Sequence, residues 1–203
     1  AYGLGMVPVA HTVISHGADL LGVTHPEEGI ILRNEGIDAP IFIFRPLLPG
    51  EEELVINYQL TSSISSLKQA ERLSERARVY GIKVPVHLKV ETGLGRTGFL
   101  PVAIKEHADR LFSLPGLKWE GIYTHFASAA GDPQFTRQQF RIFQAVVGDL
   151  KKRGIQFPLC HVCNSAAALL YPEMRLDMVR IGTLLYGENP PGVKDDLGLE
   201  ESW

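Results

Sequence analysis

The sequence predicts an α/β protein built on a parallel sheet, and three observations carry that expectation. Short β-rich runs recur at residues 20–23 (LLGV), 41–44 (IFIF), 60–63 (LTSS), 84–90 (VPVHLKV), 121–124 (GIYT), 159–162 (LCHV) and 178–181 (MVRI). Several are apolar on both faces, the habit of strands covered by helices on either side. Helical patterns lie between them, and strands alternating with helices give a parallel sheet.

The helical segments justify themselves in turn. PEEGIILRNEG opens with Pro26 and two acids, which suit the positive end of a helix dipole. SSLKQAERLSERARVYG places Leu67, Ala70, Leu73, Ala77 and Tyr80 on one stripe and stops at Gly81. PVAIKEHADRLF follows a glycine-rich stretch as a further helix candidate. DPQFTRQQFRIFQAVVGDLKKRG stripes Phe135, Phe140, Phe143, Val147 and Leu150, with Asp132 as N-cap before Pro133. Asn164-Ser165 then opens an alanine-rich helix. An open doubly wound sheet and an eight-stranded barrel both fit this alternation. A barrel takes about 250 residues, so seven units in 203 residues leave roughly one unit outside the chain. The chain starts at Ala1 inside a turn-like AYGLG and ends in a polar GVKDDLGLEESW, so it reads as a segment of a longer protein.

Composition narrows the class. The apolar fraction of 45% and charged fraction of 21% are ordinary for a globular protein and exclude disorder and collagen. The net charge of −3 offers no basic surface for nucleic acid. No run of about 18 apolar residues exists to span a membrane. The 2 cysteines, Cys160 and Cys163, form no disulfide framework, and a reducing, cytoplasmic setting is the default.

Two motifs invite functional readings and are weak. Gly93-Leu94-Gly95-Arg96-Thr97-Gly98 matches G-x-G-x-x-G, but three strand units precede it and the expected acid at the next strand's end is absent. A glycine turn that aims Lys89 and Arg96 explains it better than a nicotinamide oxidoreductase does. Cys160-His161-Val162-Cys163 contains C-x-x-C without the second pair that a zinc site needs.

The polar groups at strand ends form a stronger pattern. In a parallel barrel the C-terminal strand ends converge on one mouth. Lys89, His125, Asn164, Ser165, Arg180 and Gly182-Thr183 all fall at such ends. Ser165 at a helix start and the backbone around Gly182-Thr183 suit a phosphate. The residues alone therefore predict a barrel with a phosphate-bearing ligand at its mouth.

AYGLG at 1–5, HLKVETGLGRTGF at 87–99, GIYTHFASA at 121–129, HVCNSAA at 161–167 and LDMVRIGTLLYG at 176–187 occur in an order that resembles the barrel domain of the pyridoxal-phosphate alanine racemases. Leu4 stands where that family commonly has His, Glu91 where Asp is usual, and Cys163 sits just before the Asn-Ser pair. The resemblance implies an α/β, TIM-type (β/α)8 barrel that is incomplete here. Residues 1–187 would be the partial barrel domain and residues 188–203 a linker towards a missing β-rich C-terminal domain. It implies pyridoxal 5'-phosphate as cofactor. Tyr2, Ser165, Gly182 and Thr183 would hold its phosphate. Arg180 would meet the pyridine nitrogen, with His125 beside the ring and orienting Arg180 together with Asn164. Arg96 would reach the ring hydroxyl, braced by Lys89, which the family often carries as a carbamate. If Lys89 were a free ammonium, an acid such as Glu91 would have to stand between the two cations.

The family's Schiff-base lysine would precede Ala1 and its opposing tyrosine would follow Trp203, so no catalytic acid–base residue is expected in this chain. The parent protein would be a homodimer that racemises alanine and supplies D-alanine for peptidoglycan. Its only ligand partners would be the cofactor and a small amino acid. A non-catalytic cofactor-carrying barrel and a racemase of another amino acid, such as serine, are the competing readings.

Overall fold

The computed structural model describes residues 1, 3–190 and 193. Its six strands are β1 (Leu21–Val23), β2 (Ile41–Ile43), β3 (Thr61–Ile64), β4 (Val84–Lys89), β5 (Leu117–Tyr123) and β6 (Leu159–His161). They lie side by side in sequence order, β1-β2-β3-β4-β5-β6, and the resolved registers are parallel, as in Gly22 opposite Phe42 and Ile122 opposite Cys160. A doubly wound sheet reverses its strand order at a switch point. This order never reverses, so the fold is an incomplete α/β barrel of TIM type, with six strands among the described residues.

The chain divides into two compact units. The first comprises Ala1–His87 and Asp109–Trp119. It holds α1 (Met6–Ser15), α2 (Pro26–Asn34), α3 (Glu52–Asn57) and α4 (Leu67–Val79). Its core is the all-buried β2, Ile41-Phe42-Ile43, with Leu32, Leu60, Ile64, Leu73 and Val86. Gly29 lets α2 lie close on this sheet, because a Cβ there would meet Leu60 and Ile41. The α2 start is closed by Glu28, whose carboxylate accepts the Thr24 and His25 N–H groups at 2.7 and 2.9 Å. Ser66 caps α4 by accepting the Gln69 N–H. Gly81 takes the left-handed conformation (φ 67°) that ends it.

The second unit comprises Leu88–Ala108 and the described residues from Glu120 onward. α5 (Pro101–Phe112) starts within it. α6 (Pro133–Lys152), α7 (Ser165–Leu170) and two short 3-10 turns, Pro172–Met174 and Thr183–Tyr186, belong wholly to it. Asp132 caps α6 by accepting the Phe135 N–H at 2.9 Å. Phe140, Phe143, Val146 and Leu150 form the buried stripe of α6, while Phe135 and Val147 are only partly covered.

Two differences from the sequence reading matter. Residues 178–181 are not a strand. Asp177 N–H donates to Cys160 C=O and Arg180 N–H to Cys163 C=O, at 3.1 and 3.0 Å. These bonds fall three residues apart rather than on the alternate residues a ladder needs, so the segment is strapped beside β6 without extending the sheet. The helices α1 and α3 are not signalled in the sequence: their N-cap positions, Gly5 and Glu51, supply no capping side-chain bond.

Candidate functional site

All the site residues described here belong to the second unit. Arg180 is its centre. One Nη1 hydrogen points to His161 Nδ1 at 2.7 Å. Nη2 donates to the Thr124 and Val162 carbonyls at 2.8 and 3.0 Å, with His125 Nδ1 at 3.4 Å. The guanidinium also lies 5.4 Å from the Tyr123 ring centre, and Tyr123 in turn stacks flat on His161 at 4.8 Å. Burial pushes the Arg180 pKa down to about 10, with only Tyr123 and Cys163 opposing the shift. It stays charged at neutral pH, and no carboxylate among the described residues pairs with it.

His125 follows β5. Burial, then Arg180, Arg96 and Lys89, push its pKa down to about 3. Its ring is therefore neutral and accepts from Arg180 rather than donating to it. Lys89, the last residue of β4, is 3% exposed. Its ammonium donates to Thr97 Oγ1 at 2.6 Å and sits 5.7 Å from the Tyr123 ring centre. Burial, together with Arg96 and Arg180, lowers its pKa to about 8 against an opposing pull from Glu91.

Glu91 acts on Lys89 electrostatically, but its hydrogen bonds go to the loop backbone. Its carboxylate accepts the N–H groups of Gly93, Gly95 and Arg96 at 2.5, 3.0 and 3.3 Å, and these bonds hold its pKa below the usual range against the opposing effect of burial. The amides that a dinucleotide motif would turn towards a phosphate are thus spent on the loop's own acid. Gly98 has φ 132°, and a Cβ there would strike the Glu91 backbone nitrogen at 2.9 Å. The motif is a turn that Glu91 organises. Arg96 is exposed on it.

Ser165, the first residue of α7, is buried, and its Oγ accepts the Gly182 N–H at 2.9 Å. That bond leaves the hydroxyl proton available to a ligand. Thr183 follows at the start of the last 3-10 turn. Asn164 Oδ1 accepts the Ala167 N–H at 3.0 Å, so this side chain caps α7. The partner on Arg180 is His161, where the sequence reading had placed Asn164. Tyr2 lies outside the described residues. The C-x-x-C pair stays free: Cys163 donates to the Met174 carbonyl, and burial lifts its pKa to about 11. No group of three metal-ligating side chains occurs among the described residues.

Sequence reasoning missed His161 and the neutral state of His125. HVCN placed His161 on a strand, but only the stacked Tyr123 and the approach of Arg180 give that position a role.

Residues 1–190 match the family described as "Alanine racemase, N-terminal domain". The chain belongs to this family. An alanine racemase of Halothermothrix orenii is 39% identical over 191 residues, spanning 94% of this chain and 50% of the relative. One of Symbiobacterium thermophilum is 39% identical over 195 residues, spanning 95% and 52%. Among solved structures, the alanine racemase of Clostridium difficile 630 in complex with cycloserine superposes with a TM-score of 0.91 at 34% identity, over 98% of this chain and 56% of that one. The chain spans about half the length of the curated relatives it matches.

Proposed function

We propose that this chain is the cofactor-holding barrel of a pyridoxal-phosphate-dependent enzyme that interconverts L- and D-alanine. The observation that carries the reading is the cationic cluster of Lys89, Arg96 and Arg180, in which Glu91, the acid that acts on Lys89, is engaged by loop amides. Arg180, partly buried and without a carboxylate partner among the described residues, and buried Lys89, offset only by Glu91, call for an anion. A ligand with a phosphate at one end and an ionised hydroxyl on its ring fits that donor set. Ser165 and the Gly182-Thr183 backbone would hold the phosphate, with Tyr2. Arg180 would face the pyridine nitrogen and Arg96 the ring hydroxyl.

Bound there, the cofactor draws electrons from the α-carbon of an amino acid and acidifies its α-proton. Arg180 is a donor only, so it keeps the ring nitrogen unprotonated and moderates that pull. Moderation favours simple removal and return of the proton over loss of carboxylate or amino-group transfer. Lys89 has an amine close to titrating, and its neutral form can add to carbon dioxide. An N–C bond forms and a proton leaves, so a carbamate anion replaces the ammonium beside Arg96. Carbon-13 NMR in labelled bicarbonate would report that adduct, and its absence would leave Lys89 as an ammonium on Thr97.

In this reading the acid–base lysine and tyrosine lie outside residues 1–203, and the barrel domain ends near residue 187. The parent enzyme works as a cytoplasmic homodimer and supplies D-alanine for cell-wall peptidoglycan. Relatives named alanine racemase support alanine over other amino acids. The test is exchange of the α-proton of L-alanine with deuterated solvent, followed by NMR. The full-length gene product should exchange it and form D-alanine. Residues 1–203 alone should bind pyridoxal 5'-phosphate weakly and exchange at background. Exchange by the 203-residue chain at the full-length rate would refute the assignment of the missing bases. A full-length protein inert towards alanine would refute the substrate.

A further inference from the structure

Behind the site lies a row of buried polar side chains that the proposed chemistry does not use. Gln139, on α6, is 0% exposed. Its Oε1 accepts the Ala127 N–H at 3.0 Å, and its Nε2 donates to Thr92 Oγ1 at 3.1 Å and towards the His125 carbonyl at 3.4 Å. Thr92 and Thr124 face each other, Oγ1 to Oγ1, at 2.7 Å, and both are buried.

Proton counting gives the row a direction. The Thr124 hydroxyl donates its one proton to the Val90 carbonyl at 2.9 Å. Thr92 must therefore donate to Thr124, and it accepts from Gln139. The sequence of donors is Gln139 N–H, Thr92 O–H, Thr124 O–H, ending on the Val90 carbonyl. The same residues frame the site. The Thr124 carbonyl holds Arg180 at 2.8 Å, and Gln139 grips the His125 carbonyl and the Ala127 N–H that follows it.

We infer that Gln139 and Thr92 are positioning residues, whose one-way hydrogen-bond row sets the Thr124 carbonyl and the His125 ring and thereby the placement of Arg180. This rests on the reading of Arg180 as the group that meets the cofactor ring. A buried neutral hydrogen bond contributes modestly, about 0.5–1.5 kcal/mol. The row would therefore act by alignment, with an effect of about three- to tenfold on ligand affinity when one link is cut.

The experiment uses the full-length gene product with Thr92→Val, Thr92→Ser, Gln139→Met and Arg180→Ala. Three quantities are read: thermal midpoint, affinity for pyridoxal 5'-phosphate by fluorescence quenching, and the titration of the His125 ring by NMR without cofactor. His125 is kept neutral by burial beside Arg180, Arg96 and Lys89, so loosening its loop admits water and raises its midpoint. Thr92→Val, nearly isosteric, should fold with a midpoint within a few degrees of the parent. It should bind about three- to tenfold more weakly, shift His125 upward, and be restored on both counts by Thr92→Ser. Gln139→Met should do the same more strongly. If it fails to fold, the Thr92 pair decides, and Thr124→Val against Thr124→Ser repeats the test one link along. A folded Thr92→Val that leaves either affinity or His125 unmoved overturns the inference, as does a Thr92→Ser that fails to rescue. If Arg180→Ala also leaves affinity unchanged, the reading of the site itself has failed; if only Arg180→Ala weakens binding, the fault lies with the positioning row alone.

Discussion

In the first compact unit, Arg33 donates to four backbone carbonyls: Tyr58 at 3.0, Ile37 at 2.5, Ala39 at 2.7 and Gln59 at 3.1 Å. In the second, Arg180 is fixed by two carbonyls and a histidine. Both guanidinium pKa values are lowered by burial. The difference is in what else is near. Arg33 has Asp38 to offset its charge, and one of the carbonyls it holds belongs to Gln59, a non-glycine residue at φ 49°. Among the described residues Arg180 has no acid, has two further cations in its neighbourhood, and has Nε and one Nη1 hydrogen without a partner. The same residue, anchored the same way, serves as a clamp where its charge and donors are used up and as a binding group where they are left over.

Arg33→Ala should give the largest effect on stability. Several carbonyls lose a charged donor at once and Gln59 loses the bond that helps hold its left-handed backbone. A loss of about 3 kcal/mol is expected, or about 10 °C in thermal midpoint for a chain of this size. Cofactor affinity should not change. A midpoint within about 2 °C of the parent would show that Arg33 is no clamp.

Arg180→Ala should reverse the pattern. The buried Thr124 and Val162 carbonyls lose a donor, but removing a partly buried cation without a carboxylate partner offsets part of that cost, so the thermal midpoint should fall less than in Arg33→Ala. Ligand binding loses a charge-assisted bond, worth about 1.5–3 kcal/mol or roughly ten- to a hundredfold in affinity. Isothermal titration with pyridoxal 5'-phosphate reads this directly. A large fall in thermal midpoint with unchanged affinity would erase the contrast with Arg33.

The pH response sharpens the comparison, because Arg180 helps set it. In the unfolded chain a histidine takes a proton below about 6.5. In the folded protein His125 stays neutral down to about 3. The unfolded state binds the extra proton between those values, so stability falls as pH drops from about 6.5 towards 3. Glu51, Glu52 and Glu91 have pKa values below their ordinary 4.5, so their contribution is lost only at lower pH. Urea midpoints at pH 7 and 5.5 therefore isolate histidine. The decline between them should be smaller in His125→Gln, and an equal decline would assign it to other groups.

Much of this is legible in the sequence. Alternating apolar runs and glycine punctuation located β1 to β6 because strands buried on both faces leave a dense apolar signature. Residues at their C-terminal ends then converge by topology alone. The run at 178–181 misled for the same reason: MVRI has strand composition, but its bonding is dictated by Asp177 and Arg180 reaching back to β6. His161, Gln139 and Thr92 were invisible as site-shaping residues because their roles depend on partners far along the chain. A free Lys89 ammonium asks for an acid such as Glu91 beside it, and Glu91 does raise the Lys89 pKa, but its backbone bonds are not visible in the sequence. On a strand end followed by three glycines, its carboxylate meets nearer donors first.

That last point supports the smallest of the expected effects. Glu91→Gln keeps the shape of the side chain and replaces one carboxylate oxygen by an NH2 group. The carboxylate serves Gly93 through one oxygen and Gly95 and Arg96 through the other, so the amide must abandon at least one of these donors. Gly93 and Gly95 sit at φ 135° and 73° and resist disorder only while their N–H groups are tied. The cost should be about 1 kcal/mol, with amide exchange at Gly93, Gly95 and Arg96 accelerated about three- to tenfold. Glu91 is also the group that raises the Lys89 pKa, so its neutralisation should push that amine lower still. Arg180 is held by β5, β6 and the residues that follow them, none of which Glu91 touches, and exchange elsewhere in the second unit should be unchanged. If the substitution instead loosened the Arg180 neighbourhood as strongly as the glycine turn, the turn that carries Arg96 would also hold Arg180, and the division between a self-supporting loop and a separately anchored cation would fail.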